Sequence, residues 1–293
     1  MTLPIRMGRI DYLNVWPVYH GFDMKGVPET LRLHAGSPAA LNTLLAEGAL
    51  DISAISAFAY ARHHKDWLLV PDLGIGCDGR VMSVLLVSRF PLEALGGRRV
   101  GLSLESASAA HLLRFLLEDA GQFCSFETRR VRRPDDLHDM DGGLVIGDAA
   151  LSGFWSENFP FIYDLADLWK TSTGHPFVFG LWAVRRALFA SRPEALGRAV
   201  VQLLESRDRG ERSMDAIRLR AVQEKGLAPD TVKAYFDSLH YGLPPSHLAG
   251  LAFYFQCMET MGFIEKAPPL CFLDLDGGES VWNGVSPLVF CEA

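Results

Sequence analysis

Small polar residues recur where predicted strands end and helices begin. The set comprises Asn14, Ser37, Ser56, Ser106, Ser108 and Asp148. The first turn of a helix presents free N–H groups and the positive end of the helix dipole, which favour a bound carboxylate or phosphate. Any single Ser or Asp at such a position is most simply the N-cap of its helix. Because the set lies along one edge of two facing sheets, it predicts a cleft that binds a small anion.

The sequence lacks the motifs of several other chemistries. It contains no phosphate-binding G-x-x-x-x-G-K-[ST] loop, no dinucleotide G-x-G-x-x-G and no G-x-S-x-G nucleophile turn. The nine histidines fall at no ligand spacing, and the adjacent His63 and His64 would point apart on a helix. Ser83 lies in an apolar strand, where a buried hydroxyl bonded to a neighbouring carbonyl explains it as well as a functional role does. We therefore predict no metal ion and no cofactor.

Two buried strands must position these residues. Val81–Ser88 and Phe177–Val184 are apolar runs of strand length, and they enclose a self-contained alternation of strands and helices. This pattern predicts an α/β protein with parallel-rich sheets and two lobes joined by a two-strand hinge. The first lobe would comprise residues 1–88 plus 176–293, including C-terminal helices, and the second 89–175. A ligand of such a fold binds between the lobes, near the hinge.

Composition limits the class of protein. The chain has 293 residues, of which 49% are hydrophobic and 22% charged, with a net charge of −7. The basic segment 129–133 is followed at once by acidic residues, so no nucleic-acid partner is expected. No apolar run reaches the roughly 20 residues of a membrane span. The N-terminus lacks the features of a secretory signal, and the five cysteines form no C-x-x-C pair, which together predict a cytoplasmic protein. The oligomeric state is not predicted.

Five segments resemble a known family in order and spacing. They are RIDYLNVWP, SPAALNTLLAEGALDISAISAFAYA, LLVPDLGIGCDGRVMSVLLVS, GDAAL and YDLADLWKTSTGHPFVFGLW, between about residues 9 and 184. Together they resemble the chorismate dehydratases of the futalosine route to menaquinone. The resemblance implies a periplasmic-binding-protein type II fold. It also implies a carbon-oxygen lyase that removes water from chorismate, a dicarboxylate, to give 3-[(1-carboxyvinyl)oxy]benzoate without a cofactor.

The resemblance also implies particular site residues. Asn14 and Ser83 match active-site positions, and we assign them to orienting the substrate and polarising its leaving hydroxyl. Expected substrate contacts are Tyr12, Ser56, Ser106, Ala107, Ser108, Asp148 and Phe177, the last as a surface on which a planar ligand could stack. The general base is left open between Asp78, Asp148 and a carboxylate of the substrate itself.

The chain departs from the family pattern at two places. The family has Ser-x-Thr-Ser where this chain has Ser106-Ala107-Ser108-Ala109, and often a serine where it has Ala57. Both departures put substrate contacts in these loops in question and leave the fold unaffected.

Two other functions are compatible with such a fold. The first is the sister activity of the same pathway, 1,4-dihydroxy-6-naphthoate synthase, against which the Tyr12-Leu13-Asn14 loop argues. The second is a non-catalytic protein that binds a small anion, because the fold is best known for binding. An exported binding protein would need a signal sequence and a sensor a DNA-binding segment, and neither is apparent.

Overall fold

The computed structural model describes residues 3–275, 278–282 and 289–291, and in them thirteen strands form two sheets. The strands are β1 (Ile5–Ile10), β2 (Leu31–Gly36), β3 (Ile52–Ser56), β4 (Trp67–Cys77), β5 (Val84–Ser88), β6 (Arg99–Ser103), β7 (Ser125–Arg129), β8 (Gly142–Ile146), β9 (Phe161–Asp164), β10 (Phe177–Arg185), β11 (Leu270–Leu273), β12 (Glu279–Trp282) and β13 (Val289–Cys291). We call the eight-stranded sheet with its helices the first lobe and the five-stranded sheet with its helices the second lobe.

Eleven α-helices cover the sheets within the described residues. They are α1 (Trp16–Lys25), α2 (Pro38–Ala46), α3 (Ala57–His63), α4 (Ala107–Asp119), α5 (Phe154–Asn158), α6 (Leu165–Thr173), α7 (Arg186–Ser191), α8 (Pro193–Arg212), α9 (Met214–Lys225), α10 (Pro229–Ser238) and α11 (Pro245–Thr260). Short 3₁₀ helices occur at Leu13–Val15, Leu92–Ala94, Pro134–Leu137 and Gly147–Leu151. None of the described helices is both long and apolar enough to span a membrane.

The first lobe is built on a mixed sheet in the order β13-β12-β11-β4-β10-β3-β1-β2. β1 pairs in parallel with β2 and β3, whereas β10 runs antiparallel between β3 and β4. All five residues of β3 are buried, as expected for a central strand covered on both faces. The α/β class and the C-terminal helices predicted from the sequence are confirmed.

The second lobe has the strand order β7-β6-β8-β5-β9. β6 pairs in parallel with β7 and β8, and β5 runs antiparallel between β8 and β9. The prediction assigned Val81–Ser88 to the first lobe, and this is wrong for β5, which pairs with β8 and β9 of the second sheet. The two crossings between the sheets are therefore the segments 78–83 and 174–176. The division of the remaining chain between the lobes stays a prediction.

The chain between Trp67 and Cys77 forms one strand of eleven residues, β4, which includes Gly74 and Gly76. A Cβ atom at Gly74 would lie 2.6 Å from Leu243 Cδ2, so the glycine allows the C-terminal region to approach the strand closely. Gly74 thus serves close packing within the strand and not a turn.

Helices α1 and α8 pack together at Gly210. A Cβ atom at this position would overlap the carbonyl oxygen of Pro17, a backbone atom that cannot move without separating the helices. Gly197 in the same helix has no atom within 4 Å of its Cβ position. The two glycines of α8 therefore have opposite structural roles.

We expect Gly210→Ala to destabilise the protein by about 1–3 kcal/mol, because a methyl group in a close-packed contact forces strain or helix separation. Gly197→Ala is the matched control and should stabilise the protein by roughly 0.5–1 kcal/mol through helix propensity. Urea unfolding of both variants measures the difference. Equal stability of the two would contradict the α1–α8 contact.

Candidate active site

A cavity of about 140 Å³ lies between the two lobes. Its volume is close to the ~150 Å³ of an apolar cavity that accommodates one benzene ring. Six of the predicted site residues line it: Tyr12, Asn14, Ser56, Ser83, Ser106 and Ala107. The cavity is thus the size of a single six-membered ring and takes its polar groups from both lobes.

The cavity wall carries no cationic side chain among the described residues, and Glu105 is its one charged residue there. A carboxylate bound inside must therefore be held by neutral donors. Ala39 in the first turn of α2 and Ala107 in the first turn of α4 both line the cavity. Two helix N-termini thus face the same space, where their free N–H groups favour an anion.

The Ser hydroxyls at these helix starts act first as N-caps. Ser37 accepts a hydrogen bond from Ala40 N, and Ser56 accepts one from Ala59 N. Ser106 accepts one from Ala109 N. These three serine hydroxyls therefore act as N-caps. A ligand in the cavity can instead bind the backbone N–H groups in the first turns of α2 and α4.

Asn14 belongs to the 3₁₀ helix Leu13–Val15, which follows β1 directly. Its Oδ1 atom is buried and has no hydrogen-bond partner among the described residues. The same is true of Asn42 Oδ1, on the cavity-facing side of α2. Buried polar atoms are rarely left unpaired, so these two oxygens point to a ligand that donates to them. The sequence did not single out Asn42.

Ser83 follows a strained turn. Met82 has a φ of 65°, a left-handed conformation that costs a non-glycine residue about 1–3 kcal/mol. Asp164 holds the turn, since its Oδ2 accepts from Val81 N at 3.0 Å and from Met82 N at 2.6 Å. Ser83 Oγ donates to no backbone carbonyl of the described chain. The structure therefore does not support the explanation that Ser83 is a buried hydroxyl bonded to a neighbouring carbonyl.

Two buried side chains, Asp164 and Tyr235, lie close to the Ser83 turn. Asp164 also caps α6 through Oδ1, and burial raises the pKa of its carboxyl group, opposed by four backbone N–H donors. Tyr235 is fully buried, and its hydroxyl approaches Ser83 without reaching hydrogen-bond geometry. Burial raises the pKa of Tyr235. Neither residue was predicted, because each reaches the site from a distant part of the chain.

Three predicted contacts lie outside the cavity wall. Ser108 is buried, and its Oγ accepts from Phe58 N at 2.9 Å, a bond between the lobes. Phe177 packs in the core against Trp169, while Phe179 lines the cavity. Asp148 accepts from Leu13 N and lies in an adjoining cleft.

Neither protein carboxylate proposed as the base reaches the cavity. Asp78 pairs with Lys170 at 2.6 Å, and Asp148 pairs with Lys225 at 2.8 Å. Glu105, which the sequence did not indicate, lies in the wall with its side chain 11% exposed. Its Oε1 accepts from Arg132 and its Oε2 from the Tyr12 hydroxyl. No group of three or more His, Cys, Asp or Glu in the described chain could hold a metal ion.

A family model described as menaquinone biosynthesis matches residues 5–260. The chain belongs to this menaquinone biosynthesis family. Within it, a curated chorismate dehydratase from Thermus thermophilus is 32% identical over 263 residues, covering 85% of this chain and 93% of that protein. The 1,4-dihydroxy-6-naphtoate synthase of the same organism is 28% identical over 162 residues, covering 55% of this chain and 57% of that protein. The family predicted from the sequence is confirmed.

Solved structures support the fold of the family. A Candida albicans gene product with the generic periplasmic-binding-protein fold has a TM-score of 0.66 at 8% identity, over 91% of this chain and 92% of that chain. The periplasmic aliphatic sulphonate binding protein of Escherichia coli has a TM-score of 0.60 at 14% identity, over 91% and 90%. At such identities the likeness concerns the fold alone, and it confirms the predicted periplasmic-binding-protein architecture.

Asp164 accepts hydrogen bonds from four backbone N–H groups, so we expect the stability of the protein to depend on its carboxylate. Asp164→Asn keeps one acceptor oxygen but turns an N–H₂ group toward backbone donors, so we expect a loss of about 1–3 kcal/mol in unfolding free energy. Asp167→Asn is the matched control, because Asp167 is exposed in the same first turn of α6. Urea unfolding compares the two. A stability loss no larger than that of the control would contradict the role given to Asp164.

Proposed function

We propose that the protein is a chorismate dehydratase, which converts chorismate to 3-[(1-carboxyvinyl)oxy]benzoate and water in menaquinone biosynthesis. The observation that carries the proposal is a ring-sized cavity that joins the unpaired amide oxygen of Asn14 to the hydroxyl of Ser83. The chorismate dehydratase relative, similar over nearly its whole length, supports the same activity. A cytoplasmic location stays a prediction.

The reaction suits a site with few ionisable groups. The proton that is lost sits on the ring carbon bearing the enolpyruvyl ether, conjugated through a double bond to the ring carboxylate. Breaking this C–H bond sends its electron pair into the carboxylate, and expulsion of the neighbouring hydroxyl then forms the aromatic ring. The proton and the hydroxyl leave as water. Because aromatisation supplies the driving force, the protein mainly orients the substrate and stabilises developing charge.

Different groups of the cavity orient the substrate and stabilise the developing charge. The first turns of α2 and α4 supply backbone donors for the carboxylates, whose charge grows on the ring side as the C–H bond breaks. Ser83 donates a hydrogen bond to the leaving hydroxyl of the substrate. The side-chain oxygen of Asn14 accepts a hydrogen bond from the same hydroxyl and so fixes the orientation of that group. Since Asp78 and Asp148 lie outside the cavity wall and Glu105 is held by Arg132 and Tyr12, we assign the base to a carboxylate of the substrate itself.

Incubation of the purified protein with chorismate, followed by mass spectrometry, tests the proposal. The expected product is lighter than chorismate by one water. Binding of chorismate without turnover would favour the small-anion binding protein instead. Turnover of the cyclic precursor of the naphthoate, with none of chorismate, would favour the sister activity.

We expect Asn14→Ala and Ser83→Ala each to lower kcat/KM by one to three orders of magnitude, because a lost oriented group costs roughly 2–4 kcal/mol in the transition state. Asn158→Ala and Ser191→Ala are matched controls, since both residues are exposed and bond only to their own helices. Circular dichroism checks that all four variants fold. Wild-type kcat/KM in either site variant would remove that residue from the mechanism.

Dialysis against a chelator should leave turnover unchanged, because every step above uses side chains, backbone donors or the substrate. Activity is measured before and after dialysis, and again after addition of Mg²⁺ or Zn²⁺. Activity lost to the chelator and restored by either metal would contradict this mechanism.

A further inference from the structure

Two carboxylates of the second lobe hold consecutive residues of the first. Asp148 Oδ1 accepts a hydrogen bond from Leu13 N at 3.0 Å. Glu105 Oε2 accepts one from the Tyr12 hydroxyl at 3.0 Å. The next residue in the chain is Asn14, whose amide oxygen is unpaired at the cavity.

We infer that Asp148 and Glu105 are positioning residues, which fix Asn14 in the wall of the closed cavity by binding the backbone and side chain just before it. The inference deepens the proposed dehydratase function and rests on it for its kinetic part. It replaces the expectation that Asp148 contacts substrate. Neither carboxylate would take part in bond breaking.

Each carboxylate is itself held by a cation. Glu105 Oε1 lies 2.5 Å from Arg132 Nη2, and Asp148 Oδ2 lies 2.8 Å from Lys225 Nζ. Lys225 ends α9, so the C-terminal helices contribute to the same contact. Hydrogen bonding to Glu105 raises the pKa of Arg132. Burial and the Glu105 carboxylate raise the pKa of Tyr12, which keeps its hydroxyl a donor.

The segment Gly147-Asp148 contacts Ser83 and the two residues before Asn14. Gly147 N donates to the carbonyl oxygen of Ser83 at 2.8 Å. A Cβ atom at Gly147 would lie 3.3 Å from the Tyr12 ring, and its φ of 65° suits glycine. The turn that presents Asp148 to Leu13 is therefore also bonded to Ser83.

The Tyr12–Glu105 contact also separates two spaces. Both residues line the inner cavity, and both line an outer cleft of about 550 Å³. The outer cleft includes Arg132 and Lys225, each of which pairs with one of the two carboxylates. The Tyr12–Glu105 bond thus closes the wall between the two spaces and stabilises the closed cavity in which Asn14 is held.

Three variants test these contacts. Tyr12→Phe removes only the hydroxyl, with Tyr163→Phe as its control, because Tyr163 OH accepts from Leu92 N within the second lobe. Asp148→Ala removes the acceptor of Leu13 N–H, with Asp215→Ala as its control, because that side chain is 99% exposed. Lys225→Ala keeps the acceptor and removes only its cation.

The first measurement is amide hydrogen exchange in ligand-free protein, which does not depend on the identity of the substrate. In Asp148→Ala we expect the Leu13 amide to exchange at least about tenfold faster, because a lost acceptor frees the amide to open locally. Lys225→Ala should give a smaller increase and Asp215→Ala none. If Asp148→Ala does not fold, the Lys225→Ala result decides alone. Exchange at Leu13 equal to the control would overturn the inference.

The second measurement is turnover of chorismate. Asp148→Ala should lower kcat about tenfold, because Asn14 is no longer fixed. Tyr12→Phe should instead raise KM severalfold with a smaller change in kcat, because a less populated closed form lowers apparent affinity. Faster exchange at Leu13 with wild-type kcat in Asp148→Ala would overturn the positioning role. If wild-type protein does not turn over chorismate at all, the dehydratase proposal fails, while the exchange experiment still tests the contact.

Discussion

The constraint on which the site depends is the lack of a cationic side chain in the wall of a cavity proposed to hold a dianion. The described residues offer it backbone donors at two helix starts and uncharged side chains. Such donors are fixed by the helices that carry them, so they need no reorganisation when charge shifts during the reaction. The guanidinium of Arg132, in the adjoining cleft, pairs with Glu105. Charge is thus balanced within the protein before any substrate arrives.

Acidic residues around the cavity act on the protein's own backbone. Asp164 binds the N–H groups of the strained turn before Ser83, and Asp148 binds the N–H group of Leu13 before Asn14. A carboxylate that accepts from backbone N–H groups fixes their direction more firmly than a neutral acceptor does. The two candidate catalytic residues, Asn14 and Ser83, are neutral. The carboxylates of Asp148 and Asp164 fix the backbone that positions them.

Local signals in the sequence predicted much of the fold and part of the site. The predicted strand Phe177–Val184 corresponds to β10, and Ser37 caps α2 as expected of a serine at a junction between a strand and a helix. Helix caps depend on neighbouring residues, and two of the four junction serines, Ser56 and Ser106, line the cavity. Asn42 and Tyr235 were missed because only tertiary packing brings Asn42 to the wall and Tyr235 close to Ser83. The same holds for β5, whose pairing partners lie far along the chain.

The aromatic residue that lines the cavity is Phe179, two positions after the predicted Phe177. Phe177 packs against Trp169 in the core. The ring centroids of Phe177 and Phe179 are 4.5 Å apart, so Phe177 supports the ring of Phe179 from the core. The register of β10 against β4 shifts between Val178 and Gly180, which the amino-acid pattern does not indicate.

The departures from the family pattern have a structural explanation that bears on the proposed activity. Ala57 and Ala109, where the family has hydroxyls, are both fully buried and lie outside the cavity wall. Ser108 replaces a threonine, but its hydroxyl already binds Phe58 N across the lobes, a task that either residue can perform. No hydroxyl is therefore missing from the wall itself. The groups that would contact chorismate are those that this chain retains, so the departures do not argue against a dehydratase.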